Sequence, residues 1–501
     1  MSRFLTGAFL LNGLLFTCGA CNVCHAQSPP IKVGMAETDI TPPNGFPMAG
    51  YYHERLAEGV RDPLKAKAIV FRQGNRSAAL VVADLTGIAR DLYIAVRRAA
   101  AKETGIAEHH IVLSATHSHT APDYTRHLYE YLDNTPDSDD AHDNYPEKLI
   151  AGCVDAIVRA NKSVQPVIIE AGSARQKTPV AFNRRFVMSD GSVRTWQSHS
   201  NPDVVRAAGP IDPDIGLLRF RLEQDRKTIG VLSNFALHLD TVGGKQWSAD
   251  FPFYIQQSLR KEFGDAAISV FGIGTCGDIN HSDPNRRERN KTDFIGNSIA
   301  ETIGAALPQL KPVEAPTFQV RTTTVNLPMR DVTQQDLSRA KELIPIAQAG
   351  GKVEFFELVS AYRAVVLDQL QHKVPRTDWQ KLLTWGLSHA WHGVGQSLPT
   401  EVTTMTLGSD VAIVFLPGEV FVELGLAIKQ GSPFRTTLVI ELSNCVETMY
   451  IPTRAAYAGG SYEVTNSALR PGCGEMLVEA ALKLLRESAT ADNEQASKPA
   501  K

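Results

Sequence analysis

A chain of 501 residues, 43% hydrophobic and 21% charged, carries enough apolar side chains for a large core and none of the bias of a fibrous or low-complexity sequence. A formal net charge of -3 gives no electrostatic reason to bind nucleic acid or an anionic membrane surface, and no basic stripe or nucleic-acid module occurs. Beyond the first 30 residues no apolar run is long enough to cross a bilayer.

The N-terminus has the three-part pattern of an export signal. Arg3 precedes an apolar stretch from Phe4 to Phe16, and Cys24-His25-Ala26 places small residues at a cleavage position before Gln27. Residues 1–26 are therefore predicted to be a signal peptide, and the mature protein to be secreted or periplasmic. A lipid anchor at Cys18 or Cys21 is less favoured, because the residues before each cysteine fit that pattern poorly. Four cysteines remain after cleavage: Cys153, Cys276, Cys445 and Cys473. They lack the short paired spacing of structural zinc sites, and in an oxidising compartment Cys445 with Cys473 is one pairing open to them.

From residue 31 onward short apolar runs alternate with amphipathic segments. "KAKAIVFRQG" and "SAALVVADLTG" read as a hairpin turning at Gly74-Asn75, and "DLYIAVRRAAAKETG" as a helix closed by Gly105. "HHIVLSATHSH" is a buried strand and "YPEKLIAGCVDAIVRANK" a helix. "IGLLRFRLE" and "TIGVLSNFALH" are strands, "FPFYIQQSLRKEFG" a helix, and "AISVFGIGTCGD" a strand ending in a glycine-rich turn. This alternation predicts an α/β fold, a mixed central sheet flanked by helices. Residues 331–400 break the pattern with two helical segments and the tryptophan-containing "WQKLLTWGLSHAWHG", a helical insertion placed to cover a site. Strands resume at "VTTMTLGSDVAIVFLPGEVF", and residues 488–501 lack periodicity and are predicted to be disordered.

Chemistry-bearing residues recur at strand ends. "VLSATHSHTAPDY" places His117 and His119 two positions apart, which on an extended segment puts both imidazoles on one face. Other strands end on His238 and Asp240, on Gly277-Asp278 with His281, and on Pro417-Gly418-Glu419. In open α/β sheets, ligands sit where such strand ends converge. Taken singly, each is an ordinary turn residue; jointly they suit a Zn²⁺ site with a position left for water.

Six motifs then carry a resemblance. "VGMAETDITPPNGFPMAGY", "SATHSHTAPDY", "NFALHLD" with "SADFP", "GTCGDIN", "LPGEVF" and "YIPTRAAYAGGSYE" occur in the order and spacing of the neutral ceramidase family, secreted zinc-dependent amidases acting on N-acyl sphingosine. The resemblance spans residues 31–486 and implies a catalytic domain over 31–487. It implies His117, His238, Glu419 and Tyr450 as zinc ligands. It also implies His119, Arg184 and Tyr462 as residues facing the substrate, with Asp278 shaping the turn or orienting a ligand. The family's serine before the Gly-Asp turn falls on Gly274, which cannot be a nucleophile, so attack by zinc-activated water is the expectation. Thr275 and Cys276 stand close by, and for a cysteine at a strand end packing is the plainer role.

The leading expectation is a secreted zinc-dependent hydrolase cleaving the amide of an N-acyl substrate, small molecule or lipid, ceramide-like or related. One alternative is a metal-dependent esterase, or a hydrolase of a carbohydrate-derived substrate. The other is a non-catalytic secreted binding protein on the same fold. A serine-hydrolase elbow and a dinucleotide fingerprint are both missing from the sequence.

Overall fold

In a computed structural model, residues 29–133, 140, 142, 144–314, 316–378, 382 and 392–497 are described. The predicted signal peptide lies outside the described residues, as does nearly all of the tryptophan-containing stretch 379–393.

Two stacked sheets with helices on both outer faces make up the architecture. Eight strands of the first sheet are β1 (Lys32–Asp39), β2 (Lys65–Gln73), β3 (Arg76–Ala83), β4 (Ile111–Ala115), β5 (Gln165–Arg175), β6 (Asp214–Leu222), β7 (Thr228–Phe235) and β8 (Ile268–Ile273). Their spatial order is β8-β7-β6-β5-β1-β2-β3-β4, with the short strand Lys311–Pro312 added against β5. The two outermost pairs, β3 with β4 and β7 with β8, are parallel, and the rest are antiparallel. The second sheet contains β9 (Phe318–Pro328), β10 (Ser397–Leu407), β11 (Val411–Phe415) and β12 (Thr436–Ile440) in that order.

Strand alternation decides which layer each side chain joins. In β2, Ile69 and Phe71 enter the core between the sheets, and Ala68 and Val70 face the helices. In β11, Val411, Ile413 and Phe415 enter the same inter-sheet core from the other side, and Ala412 and Val414 face away. Both faces of each strand are thus buried, which is why these segments read as unbroken apolar runs. The outer face of the first sheet is covered by α1 (Arg90–Thr104), α2 (Tyr145–Lys162), α3 (Phe251–Phe263) and α4 (Thr292–Ala306). The outer face of the second is covered by α5 (Gln334–Gln348), α6 (Phe355–Gln371), α7 (Val422–Gly431) and α8 (Cys473–Ser497).

The mixed sheet flanked by helices is borne out, with a second sheet behind it. The predicted hairpin turns at Gly74-Asn75, and α1 ends on left-handed Gly105 at φ 72°. Two differences are physical. Helix α8 runs through to Ser497, past the boundary drawn at residue 488. There Ser488 is buried and its hydroxyl accepts a bond from Arg321 Nε, so packing of one turn carries a segment of weak pattern. The pairing of Cys445 with Cys473 does not form: all four cysteines are free and buried. The Cys445 thiol meets the Glu447 carboxylate, and Cys473 Sγ donates to the carbonyl of Pro328 at 3.4 Å.

Candidate metal centre and active-site cavity

Four loops at strand ends converge. Strand β4 stops at Ala115, and His117 then takes a left-handed backbone, φ 74°. So the two imidazoles meet by a turn rather than by strand alternation. Such a conformation costs a non-glycine residue roughly 1–3 kcal/mol and persists only where surrounding contacts impose it. The His117 amide donates to the Leu85 carbonyl at 2.8 Å, and its Nδ1 donates to the Thr86 carbonyl at 2.6 Å. The His119 amide donates to the Leu239 carbonyl at 3.1 Å, tying this loop to the one that carries His238. Gly50, at φ 98°, lets the chain pass over His119: a Cβ there would come within 2.8 Å of the imidazole.

Glu419 follows the left-handed Gly418 and opens a two-residue strand, Glu419–Val420, paired in parallel with Tyr450–Ile451. The register sets Glu419 directly beside Tyr450. Residues far apart in the chain become neighbours through that one short pairing.

At the centre three donor atoms face one another. His117 Nε2 lies 3.0 Å from His238 Nε2 and 3.4 Å from Glu419 Oε2, and His238 Nε2 lies 3.7 Å from the same oxygen. His119 Nε2 is 3.3 Å from His117 Nε2. Carbonyl oxygens can only accept, so a hydrogen on Nδ1 of His117 faces Thr86 and one on Nδ1 of His238 faces the Cys276 carbonyl, at 3.4 Å. Both Nε2 atoms then present lone pairs, to each other and to a carboxylate. Without a cation that arrangement is repulsive. Burial drives the His238 imidazole well below its usual pKa, with His117 and Arg184 adding to the effect, so a proton on that ring is disfavoured. Glu419 Oε2 is buried and has no hydrogen-bond partner. Donors held at about 2.0–2.2 Å from one zinc ion stand roughly 3.3–3.6 Å apart, the scale of these separations. The donor set of nitrogen and carboxylate oxygen fits Zn²⁺, and the carbonyl-bound Nδ1 atoms orient the two rings as a metal requires.

Electrostatics around the cluster is consistent. Burial pushes the Glu419 carboxyl up, but His117, Tyr450 and Arg184 outweigh it and hold it below the usual carboxylate value. Burial lowers His119 to about 4, against the pull of Asp240, so this ring is neutral at neutral pH. Its Nδ1 has no hydrogen-bond partner and lies 3.8 Å from Asp240 Oδ1.

The remaining sequence-predicted residues divide. Tyr450 lies beside Glu419, and its hydroxyl accepts a bond from Arg184 Nη2 at 3.0 Å. Arg184 is buried and otherwise committed, to Glu463 at 2.8 Å and the Gly277 carbonyl at 2.7 Å. It therefore braces Tyr450 from behind. Tyr462 lines the cavity, its hydroxyl 3.5 Å from that of Tyr52. Asp278 is not on the cavity wall: its carboxylate accepts from Asn183 Nδ2 at 2.7 Å and the Val422 amide at 2.9 Å, clasping the turn. At Gly274 a Cβ would lie 2.8 Å from the Ala236 nitrogen and 2.9 Å from the Phe235 carbonyl carbon. No side chain fits at this position, so its glycine answers to packing rather than to a lost nucleophile. Thr86, Tyr52, Asn466 and Asp123 escaped the sequence reading, and only Asp123, inside the "SATHSHTAPDY" motif, carried a signal that could have flagged it.

His117, His119, Glu419 and Tyr450 form one part of the wall of a cavity of about 220 Å³, which Val366 of α6 also lines. Helix α6 also stacks Phe355 against Tyr462, centroids 5.8 Å apart, and Trp196 stacks on Tyr462 at 4.7 Å. Trp196 and Phe355 are exposed, so Tyr462 carries two solvent-facing aromatic rings on its side away from the core.

Stacked sheets with a histidine–carboxylate centre at their strand ends place the chain among α/β proteins with a candidate metal site. Residues 31–246 match the family model described as neutral/alkaline non-lysosomal ceramidase, N-terminal. The neutral ceramidase of Pseudomonas aeruginosa is 28% identical over 246 residues, 48% of this chain and 34% of that protein, so the match spans about a third of that relative's length. The crystal structure of neutral ceramidase from Pseudomonas aeruginosa superposes with a TM-score of 0.66 at 20% identity, covering 92% of this chain and 75% of the other. A structure of a ceramidase complexed with C2 gives 0.65 at 19% identity, covering 92% and 76%. The resemblance read from the motifs is borne out: residues 31–246 are similar to the neutral ceramidase family, and the fold is similar over nearly the whole chain.

Proposed function

We propose that the protein is a zinc-dependent hydrolase that cleaves the amide bond of an N-acyl substrate, ceramide-like or related. It would act outside the cytoplasm after removal of residues 1–26, with 31–487 as its catalytic domain. One observation carries the reading: two imidazole lone pairs and an unpartnered carboxylate oxygen converge within 3.7 Å, and His117 and Glu419 of that set line a cavity.

His117, His238 and Glu419 would hold the ion, with Tyr450 as fourth donor. When bound, zinc there would polarise the amide carbonyl and make a water more acidic. The chain's own residues do the rest. His119, neutral and with an unpartnered Nδ1, is placed to take a proton and pass it to the departing amine. Asp240 at 3.8 Å favours the imidazolium while it exists. Tyr462 offers a hydroxyl towards the oxygen that gains negative charge. Arg184 keeps Tyr450 in place. The apolar walls, with the exposed Trp196 and Phe355 against Tyr462, suit an acyl chain.

Metal analysis of the purified protein, run beside turnover of N-acyl sphingosine, N-acyl amino acids and acetylated sugars, tests this. About one zinc per chain and release of fatty acid from an amide support it; bound zinc with every amide left intact refutes it.

A further inference from the structure

Hydrogen-bond accounting on the cavity wall shows acceptors in surplus. The Thr86 hydroxyl donates to the Ser118 carbonyl at 2.7 Å, that of Tyr51 to Asp240 at 2.8 Å, and that of Tyr124 to the Gly87 carbonyl at 2.9 Å. These lining hydroxyls therefore offer no hydrogen to a ligand. Besides Glu419 Oε2 of the candidate metal centre, two acceptors on the same wall are left over. Asn466 spends its amide hydrogens on Tyr52 at 2.8 Å and Tyr462 at 3.3 Å, and its buried Oδ1 has no partner. Among the described residues Asp123 has only a long bond, 3.3 Å, from the Thr125 hydroxyl, and no cation pairs with it. Among the described residues lining the cavity there is no lysine or arginine.

A partly exposed carboxylate that lines such a cavity with no cation beside it favours a cationic partner. Burial pushes the Asp123 carboxyl up to about 7, with Thr125 and Arg126 pulling it down only weakly and Glu54 opposing them. Its backbone is fixed: the amide donates to the Pro47 carbonyl at 2.8 Å, and Pro122 bridges to Met48. The side chain is thus held against the cavity by structure that does not depend on it.

We infer that Asp123 determines specificity, selecting substrates whose amine portion carries an ammonium group and rejecting those that carry a carboxylate. This rests on the hydrolase reading above and narrows it: of the N-acyl compounds, N-acyl amino acids are the poor ones. A charge-assisted bond to Asp123 satisfies the acceptor that the protein leaves open, and a substrate carboxylate beside Asp123 sets like charges together where no lysine or arginine lines the wall.

Three dodecanoyl amides matched in length test it, made from 1,3-diaminopropane, 3-amino-1-propanol and β-alanine. Both kcat/KM and calorimetric Kd are measured on the zinc-supplemented protein. Wild type is expected to prefer the ammonium amide to the carboxylate amide by about 10- to 100-fold, the range for a hydrogen bond to a charged group. Asp123→Asn should collapse that ratio towards one, and Asp123→Glu should restore much of it. A wild-type ratio near one overturns the proposal whatever the variants do, and so does a ratio unchanged in Asp123→Asn. Should no amide be hydrolysed while the Kd ratio still follows Asp123, the selectivity stands and the hydrolase reading falls. Hydrolysis of all three at equal efficiency does the reverse.

Discussion

Glu419 is the residue on which the proposed metal centre turns. Its buried Oε2 faces two imidazole nitrogens and no donor, so replacing the carboxylate by an amide removes the only negative charge that touches both rings among the described residues. Glu419→Gln is expected to weaken zinc binding by at least about tenfold, the lower end of what even supporting partners of metal ligands contribute, while the fold stays intact. Zinc content after dialysis against a graded chelator series checks this; full retention of zinc would remove Glu419 from the ligand set. Gly274 makes the opposite case. Read along the sequence, it is a missing serine; read in space, it is a backbone contact. Gly274→Ser must displace the Phe235–Ala236 backbone, so it should lower stability by about 1–3 kcal/mol and leave any amidase activity no higher. Denaturant midpoints and turnover of one N-acyl substrate decide it, and a folded, faster variant would show that the site accepts a nucleophile there.

Helices and strands were legible where pattern is local. The span 145–162 reads as a helix from its periodicity, and α2 occupies those residues. "TIGVLSNFALH" reads as a strand, and β7 covers Thr228–Phe235. Convergence of strand ends was legible too, because chemistry-bearing residues follow apolar runs. The means of convergence was not. That His117 turns left-handed, that Glu419 pairs with Tyr450, and that a second sheet packs on the first are long-range outcomes with no local period. Helix α5 shows how local signals fare when they are strong: Thr333 and Asp336 cap each other's backbone amides, a reciprocal box at the start of the insertion. Thr333→Ala should cost about 0.5–2 kcal/mol by denaturant unfolding. Zinc content should not change, since α5 packs on α6 and none of its residues lines the cavity; a loss of zinc instead would mean that the insertion is coupled to the metal loop.

Stacking two sheets between helix layers buries polar groups from many loops at once, and these set how the molecule responds to acid. Burial lowers His281, which sits in the turn after β8, to about 4, with Arg289 adding to the effect and Asp240 opposing it. Its Nδ1 has no partner, and the residue is 2% exposed. In the unfolded chain the ring titrates near 6.5, so between 6.5 and 4 the unfolded state binds the proton that the folded state refuses. The stabilising contribution of the neutral ring is complete above 6.5 and is lost as pH falls through that interval, by at most roughly 3 kcal/mol. Buried Asp84 and Asp278 run the other way. Burial raises each to about 6, so their contribution is present below the usual carboxylate value and is lost as pH rises through 6. Opposite slopes in one window make the total pH profile ambiguous, but a difference between two proteins cancels the shared carboxylates. His281→Asn should therefore unfold with a shallower loss of stability between pH 6.5 and 4 than wild type, and the two curves should run parallel above 7. Urea midpoints across that range measure the gap, and parallel curves throughout would mean that the folded protein takes up the His281 proton as readily as the unfolded chain does.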